Sequence, residues 1–487
     1  MRYRLTTIAL LTGITLAACG SDDPAGSRPP ASIPGGTAPT DPTDPTGPAS
    51  TDPSGTSGTS GTSGAGRGWL DGEPEWTSTA AGEADGEIYT ATASDAAGTD
   101  RAAGAPAPAD GGAVEMPVDD AIAPPEAGPL RAGSVDDNAD FDGYLAYLER
   151  IHSFGIPLRD FDPGGRVVVT VTGTTGLPVA GAEVIVATGG SEVARVRTTA
   201  DGTARFHPAS YGVADATSFA FTLGAQTVTA GPGGLAALSA EAAGGAVAPV
   251  AVDVLFLLDA TGSMGDEIDR LKTSIDSVAA RLSSLESAPD IRFGMTLYRD
   301  LEDTFVTSTF DFTNDVEAFR SALSDVVADG GGDYPEALDE GLAESLAAPT
   351  WRDPSSTIQL IFLVADAPPQ VGRQLQGAGY PESIVAAVAR GIKIFPVASS
   401  ESDDQAEAVF RQLAQATGAR FVFLSYGAGG AATGGNTDID RTDYEELSLD
   451  DLVVRLVTEE LAALTGDPSQ VPPPPSTTST TTIPQGQ

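Results

Sequence analysis

One cysteine and two histidines are all that 487 residues hold of the side chains most used as nucleophiles, bases and soft-metal ligands. Cys19 stands alone, so no disulfide can form within one chain. His152 and His207 both lie in the first half, which excludes a Ser-His-Asp or Cys-His arrangement in the second. Basic charge is nearly as scarce. Lys272 and Lys393 are the only lysines, and 26 Lys and Arg face 68 Asp and Glu, a formal net charge of −42. Such a surface repels phosphate backbones and anionic headgroups, so nucleic-acid binding through a basic face is excluded. It suits divalent cations, or a salty medium that screens the repulsion. No phosphate-cradling GxxxxGK[ST] or strand–GxGxxG–helix occurs either.

The start of the chain reads MRYRLTTIALLTGITLAACGSDD: two arginines, a short apolar run, then small residues before a cysteine. That is the layout of an export signal, too short for a comfortable membrane span. Leu16-Ala17-Ala18-Cys19 resembles the bacterial lipobox. The resemblance implies a signal peptide over 1–18, cleavage before Cys19, lipid on its thiol and an outward-facing protein held on the cell envelope. Residues 19–129 contain TDPTDPTGP and SGTSGTSGTSG and have no helical or strand period, so they are expected to form a disordered tether. A flexible chain of that length reaches ~55 Å. Residues 466–487, rich in Pro and Thr, are expected to form a disordered tail.

Order is expected from residue 130. In 130–163, Phe141, Tyr144, Leu145 and Leu148 recur at helical spacing, and Asp140 can cap the short lead-in helix they predict. The Asp136-Asp137-Asn138 run before it reads as a solvated, capping turn rather than a calcium loop. Residues 164–231 switch to short alternating strands joined by Gly, Pro and Asp-Gly turns, the pattern of a small all-β sandwich. GLPVAGAEV followed by TTADGTARF resembles the carboxypeptidase-regulatory-like family, whose members act as spacers or binding modules. Ala and Gly dominate 232–249, read as a linker.

From 250 to 465, apolar strands alternate with helices of ten or more residues, so a doubly wound α/β domain is predicted. Its ligand site belongs at the carboxyl ends of the strands. The first strand runs into LDATGSMGDE, where Asp259 is followed by hydroxyls at Thr261 and Ser263. A helix cap accounts for either hydroxyl alone. Asp366, in FLVADAPPQ, ends another strand, and Asp333 sits in the glycine-rich loop GGGDYPEA. Three aspartates at three separate ends, with two hydroxyls, make an all-oxygen set suited to Mg²⁺ or Ca²⁺.

DATGS resembles the D-x-[ST]-x-S signature of von Willebrand factor type A (VWA) domains, and its spacing from GGGD and FLVAD fits that family. The resemblance spans 250–465 and implies a Rossmann-like fold with a metal-ion-dependent adhesion site. Thr261 and Ser263 would bind the cation directly, Asp259 and Asp366 would act through water, and a ligand oxygen would complete the shell. Asp333 stands where the family usually has threonine, as in a DATGSM/GGGD subgroup. A divalent ion beside Asp259, Asp333 and Asp366 leaves about one net negative charge, which favours the cation and disfavours an acidic ligand. The function implied is non-enzymatic binding of an extracytoplasmic protein or glycan. Two other readings stay open: an assembly subunit that docks through its helices without metal, and a calcium sensor or carrier.

Overall fold

The computed structural model describes residues 76–79, 130–245, 249–332, 334–399, 402–425, 444 and 446–471. The chain order opens with β1 (Trp76–Thr79), β2 (Arg131–Val135) and α1 (Phe141–Ser153). Seven short strands follow: β3 (Val167–Thr172), β4 (Glu183–Thr188), β5 (Ser191–Arg197), β6 (Thr203–Phe206), β7 (Phe219–Leu223), β8 (Gln226–Ala230) and β9 (Leu235–Ser239). The second half runs β10 (Ala251–Asp259), α2 (Gly265–Ser283), β11 (Asp290–Tyr298), β12 (Thr307–Thr313), α3 (Val316–Ser324), α4 (Leu338–Ala347) and β13 (Thr357–Ala365). It ends with α5 (Tyr380–Arg390), β14 (Ile392–Ala398), α6 (Asp404–Thr417), β15 (Phe421–Ser425), β16 (Leu447–Ser448) and α7 (Leu449–Thr465).

The main sheet has the order β1-β12-β11-β10-β13-β14-β15-β2-β16. Its five central strands, β11 to β15 in that order, are mutually parallel, and the strands on either flank are antiparallel. The sheet is therefore mixed. β10 lies between β11 and β13 and is buried from Val252 to Asp259, so it reads as a continuous apolar run rather than an alternation. Asp253 is the exception inside it, and Arg292 and Arg352 each meet its carboxylate at 2.8 Å. Helix α2 turns Ile268, Leu271, Ile275, Val278 and Leu282 inward at spacings of three and four. It packs with α3 and α7, while α4, α5, α6 and α1 contact one another in sequence.

Three departures from the sequence reading concern weakly apolar strands. The lead-in 130–163 holds β2 as well as the expected helix, and β2 pairs with β15 inside the main sheet. Gly133 allows this, since a Cβ there would lie 2.5 Å from the Phe423 ring. β9 falls in the segment read as a linker and pairs in parallel with β3, with Ala236 and Leu238 buried. β12, TSTFDFT, is an antiparallel strand that its polar residues concealed. Within the stretch read as a tether, only Trp76–Thr79 is described, and it pairs with β12. Beyond α7 the described part of the tail is a short turn, Pro468–Gln470.

β3 to β9 form two sheets, β6-β3-β9 and β5-β4-β7-β8. Alternate residues point inward, among them Val167, Val169 and Val171 from one sheet and Val184, Val186, Phe219 and Phe221 from the other. These join a core continuous with that of the main sheet. Lys393 of β14, buried, bonds Glu460 of α7 at 2.7 Å and Asp201 of the β5–β6 turn at 3.3 Å, so a charged bridge crosses the junction. Asp140 caps α1 through the Gly143 N–H, and Asp136 accepts from the N–H groups of Asn138 and Ala139. Asp137 is paired with Arg411 at 2.6 Å, so the acidic run is consumed by capping and ion pairing. No helix among the described residues is long and apolar enough to cross a membrane.

Candidate metal centre

Parallel β10 and β13 end side by side, and their C-terminal edge carries four of the five predicted residues, Asp259, Thr261, Ser263 and Asp366. Asp259 is the last residue of β10 and Asp366 the first after β13. Both are buried, at 1% and 8% exposure. Thr261 and Ser263 occupy the turn between β10 and α2, Thr261 buried and Ser263 exposed. Neither hydroxyl works as a helix cap. Thr261 begins the short turn Gly262–Met264 without a side-chain capping bond, and the residue capping α2 is Met264.

Thr261 instead donates twice to Asp259 Oδ1, from its N–H at 3.0 Å and its hydroxyl at 2.7 Å. The two hydroxyl oxygens, Thr261 Oγ1 and Ser263 Oγ, are 3.3 Å apart. Asp259 Oδ2 is equally buried and accepts no well-formed hydrogen bond. Tyr298 is fully buried beside this carboxylate. Burial, and then the charge of Asp366, push the Asp259 carboxyl up to about 7, against the opposing bonds from Thr261 and Tyr298.

The loop between α3 and α4 closes over the turn. Gly262 N–H donates to Gly330 O at 3.0 Å, and Asp329 N–H to Ala260 O at 3.1 Å. Gly330 has φ +79°, and a Cβ there would strike the Asp303 carboxylate at 2.3 Å, so only glycine fits. Asp303 Oδ2 in turn accepts from the N–H groups of Gly331 and Asp300. Arg299 is a buried clamp, donating to Ala260 O and Val327 O. Asp333 lies outside the described residues, as does Cys19.

Glu336 was missed by the sequence reading. It is 4% exposed, and its carboxyl is pushed up to about 8 by burial and then by Asp259, Asp300, Asp366 and Asp303. Its proximity to Asp333 in GGGDYPEA was the available signal, but nothing local says that the chain turns it inward.

Among the described residues, no three carboxylate, imidazole or thiol side chains gather closely enough to hold a metal by themselves. The donors fit a hard divalent ion: all are oxygen, one buried carboxylate oxygen lacks a well-formed bond, and like charges crowd at one edge.

Residues 253–426 match the von Willebrand factor type A domain family. The α/β unit contains a VWA domain. A stretch of 118 residues is 36% identical to the alpha-protein kinase vwkA of Dictyostelium discoideum, covering 24% of this chain and 18% of that one. Among solved structures, proximal thread matrix protein 1 from the mussel byssus, with a zinc-occupied MIDAS motif, is similar at 13% identity and a TM-score of 0.28. That match covers 35% of this chain and 40% of that one. The pilus adhesin SpaC of Lactobacillus rhamnosus GG is similar at 14% identity and a TM-score of 0.27, covering 41% and 29%. The chain spans less than a fifth of that curated relative's length.

Proposed function

We propose that this protein is a non-enzymatic binding protein, exported and lipid-anchored through Cys19. Its VWA domain would engage an extracytoplasmic protein or glycan through Mg²⁺ or Ca²⁺. The observation that carries this reading is the buried Asp259 carboxylate, with one oxygen fixed by Thr261 and the other left without a well-formed bond, beside a pair of hydroxyls. Thr261 and Ser263 would hold the cation directly, with Asp259, Asp366 and Asp333 balancing its charge. When bound, the cation supplies an electrophilic coordination position for a ligand oxygen.

The protein's own residues suit recognition. Ser263 is exposed, so the site opens to solvent. Val327 and Tyr334, on the α3–α4 loop that borders it, are 63% and 51% exposed and offer apolar contact beside the cation. Among the described residues the two histidines lie outside the VWA domain, His152 at the end of α1 and His207 buried beside Phe161. The two-sheet unit β3 to β9, read as carboxypeptidase-regulatory-like, would serve as a rigid spacer. The test is capture of partners from envelope extract by the full chain, with and without EDTA. Capture by the parent that is lost both with EDTA and in Ser263→Ala supports the reading. Capture insensitive to both favours docking through the helices. Cys19→Ser should leave the detergent phase on phase separation; retention there would contradict the lipid anchor.

A further inference from the structure

Glu336 is an acid in a place where an acid is costly. It sits just before α4, 4% exposed, and its Oε2 is buried without a hydrogen-bond partner. Its Oε1 lies 2.8 Å from the position a Cβ on Gly331 would take, and the Thr261 Cβ lies 3.0 Å from that same point. The carboxylate therefore faces the metal-site turn. Among the described residues no arginine or lysine is paired with it, while Asp259, Asp300, Asp303 and Asp366 all lie near enough to act on it. Ionising a carboxylate in such surroundings is costly unless a cation meets it.

The backbone holds it there firmly. The Glu336 N–H donates to Pro368 O at 3.2 Å, and Gln370 Nε2 donates to both Pro335 O and Asp300 Oδ1. The short segment before α4 is thus tied to the loop that follows β13, the loop that carries Asp366. Glu336 and Asp366 are fixed on the same support.

We propose that Glu336 is a further acidic residue of the cation site, its carboxylate directed at the same ion that Thr261, Ser263, Asp259 and Asp366 serve. This rests on the cation reading above. With Asp259, Asp366 and Glu336 ionised, a divalent ion leaves about one net negative charge even before Asp333 is considered. The filled site then selects a neutral oxygen donor, such as an amide or hydroxyl, over a carboxylate.

The experiment is calorimetric titration of the full chain with Mg²⁺ alone, and separately with Ca²⁺, for the parent, Glu336→Gln and Thr261→Ala. Urea denaturation in EDTA accompanies each. Glu336→Gln should bind the cation about 10–100-fold more weakly and be at least as stable as the parent without metal. Unchanged affinity in Glu336→Gln, with binding lost in Thr261→Ala, overturns the role of Glu336 and leaves the cation reading standing. Loss of metal-free stability in Glu336→Gln marks a structural role and also overturns it. Glu336→Asp guards against a misfolded variant: it should recover part of the affinity, and failure to do so counts against the proposal. A parent that binds neither ion removes both claims.

Discussion

Replacing Asp259 with asparagine separates the charge of the site from its shape. Asparagine keeps the oxygen that accepts from the Thr261 N–H and hydroxyl, and it removes only the ionisable oxygen that lacks a well-formed bond. In the folded, metal-free protein the Asp259 carboxyl is pushed from 3.8 to about 7. The folded state therefore holds its proton over a range where the unfolded state has lost it. Its stabilising contribution is present below about pH 4 and lost as pH rises through 7. Three pKa units at ~1.4 kcal/mol each set an upper limit of about 4 kcal/mol on that loss. In EDTA at pH 8, Asp259→Asn should then be more stable than the parent by up to about 4 kcal/mol, and the gain should vanish near pH 4. With cation at a hundred times its Kd the parent should gain about 2.7 kcal/mol and the variant little. Urea unfolding followed by circular dichroism at both pH values reads all of this. An equal gain at pH 4 and pH 8, or none at pH 8, would refute the charge argument.

The glycine-loop aspartate gives a second handle: Asp333→Thr should weaken cation binding yet strengthen binding of an added carboxylate, both read by calorimetry. Arg411 bonds Asp137 and Glu407 in a buried network, so Arg411→Ala should cost about 3–5 kcal/mol in urea unfolding by leaving two carboxylates unpaired. His207 is buried beside Phe161, and burial lowers its imidazole from 6.5 to about 3. The unfolded chain takes up a proton below pH 6.5 that the folded chain refuses, so stability should fall by about 2 kcal/mol by pH 5. His207→Phe should flatten that fall, and an unchanged acid limb would exclude His207 as its source.

What the sequence revealed depended on how strongly each segment signals. β10, β13 and β14 are buried on nearly every residue and show as apolar runs. The amphipathic helices between them repeat at helical spacing, so the α/β order could be read directly. β2, RAGSV, has glycine where the Phe423 ring crowds its backbone, and β9, LAALS, buries only Ala236 and Leu238, so both carry little strand signal. β12, TSTFDFT, opens with three hydroxyl residues, which hides it as a strand on the antiparallel flank. At the site, Asp259 and Asp366 were legible because they lie at strand ends, where parallel sheets place their ligands, and Thr261 because it follows Asp259 in DATGS. Glu336 was not, since a loop residue meets its neighbours only after the sheet has closed. The question raised by DATGS, cap or cage, was open in the sequence. The missing capping bond on Thr261 and its two bonds to Asp259 decide against the cap.

The central claim is that Thr261 and Ser263 hold a divalent cation at the carboxyl edge of the VWA sheet. Its most direct test is Mg²⁺ and Ca²⁺ titration of the metal-stripped full chain, comparing the parent with a Thr261→Ala/Ser263→Ala double variant whose circular dichroism matches it. The account predicts one ion bound per chain in the parent and none measurable in the double variant. Binding of equal strength in both would place the cation elsewhere and contradict the claim.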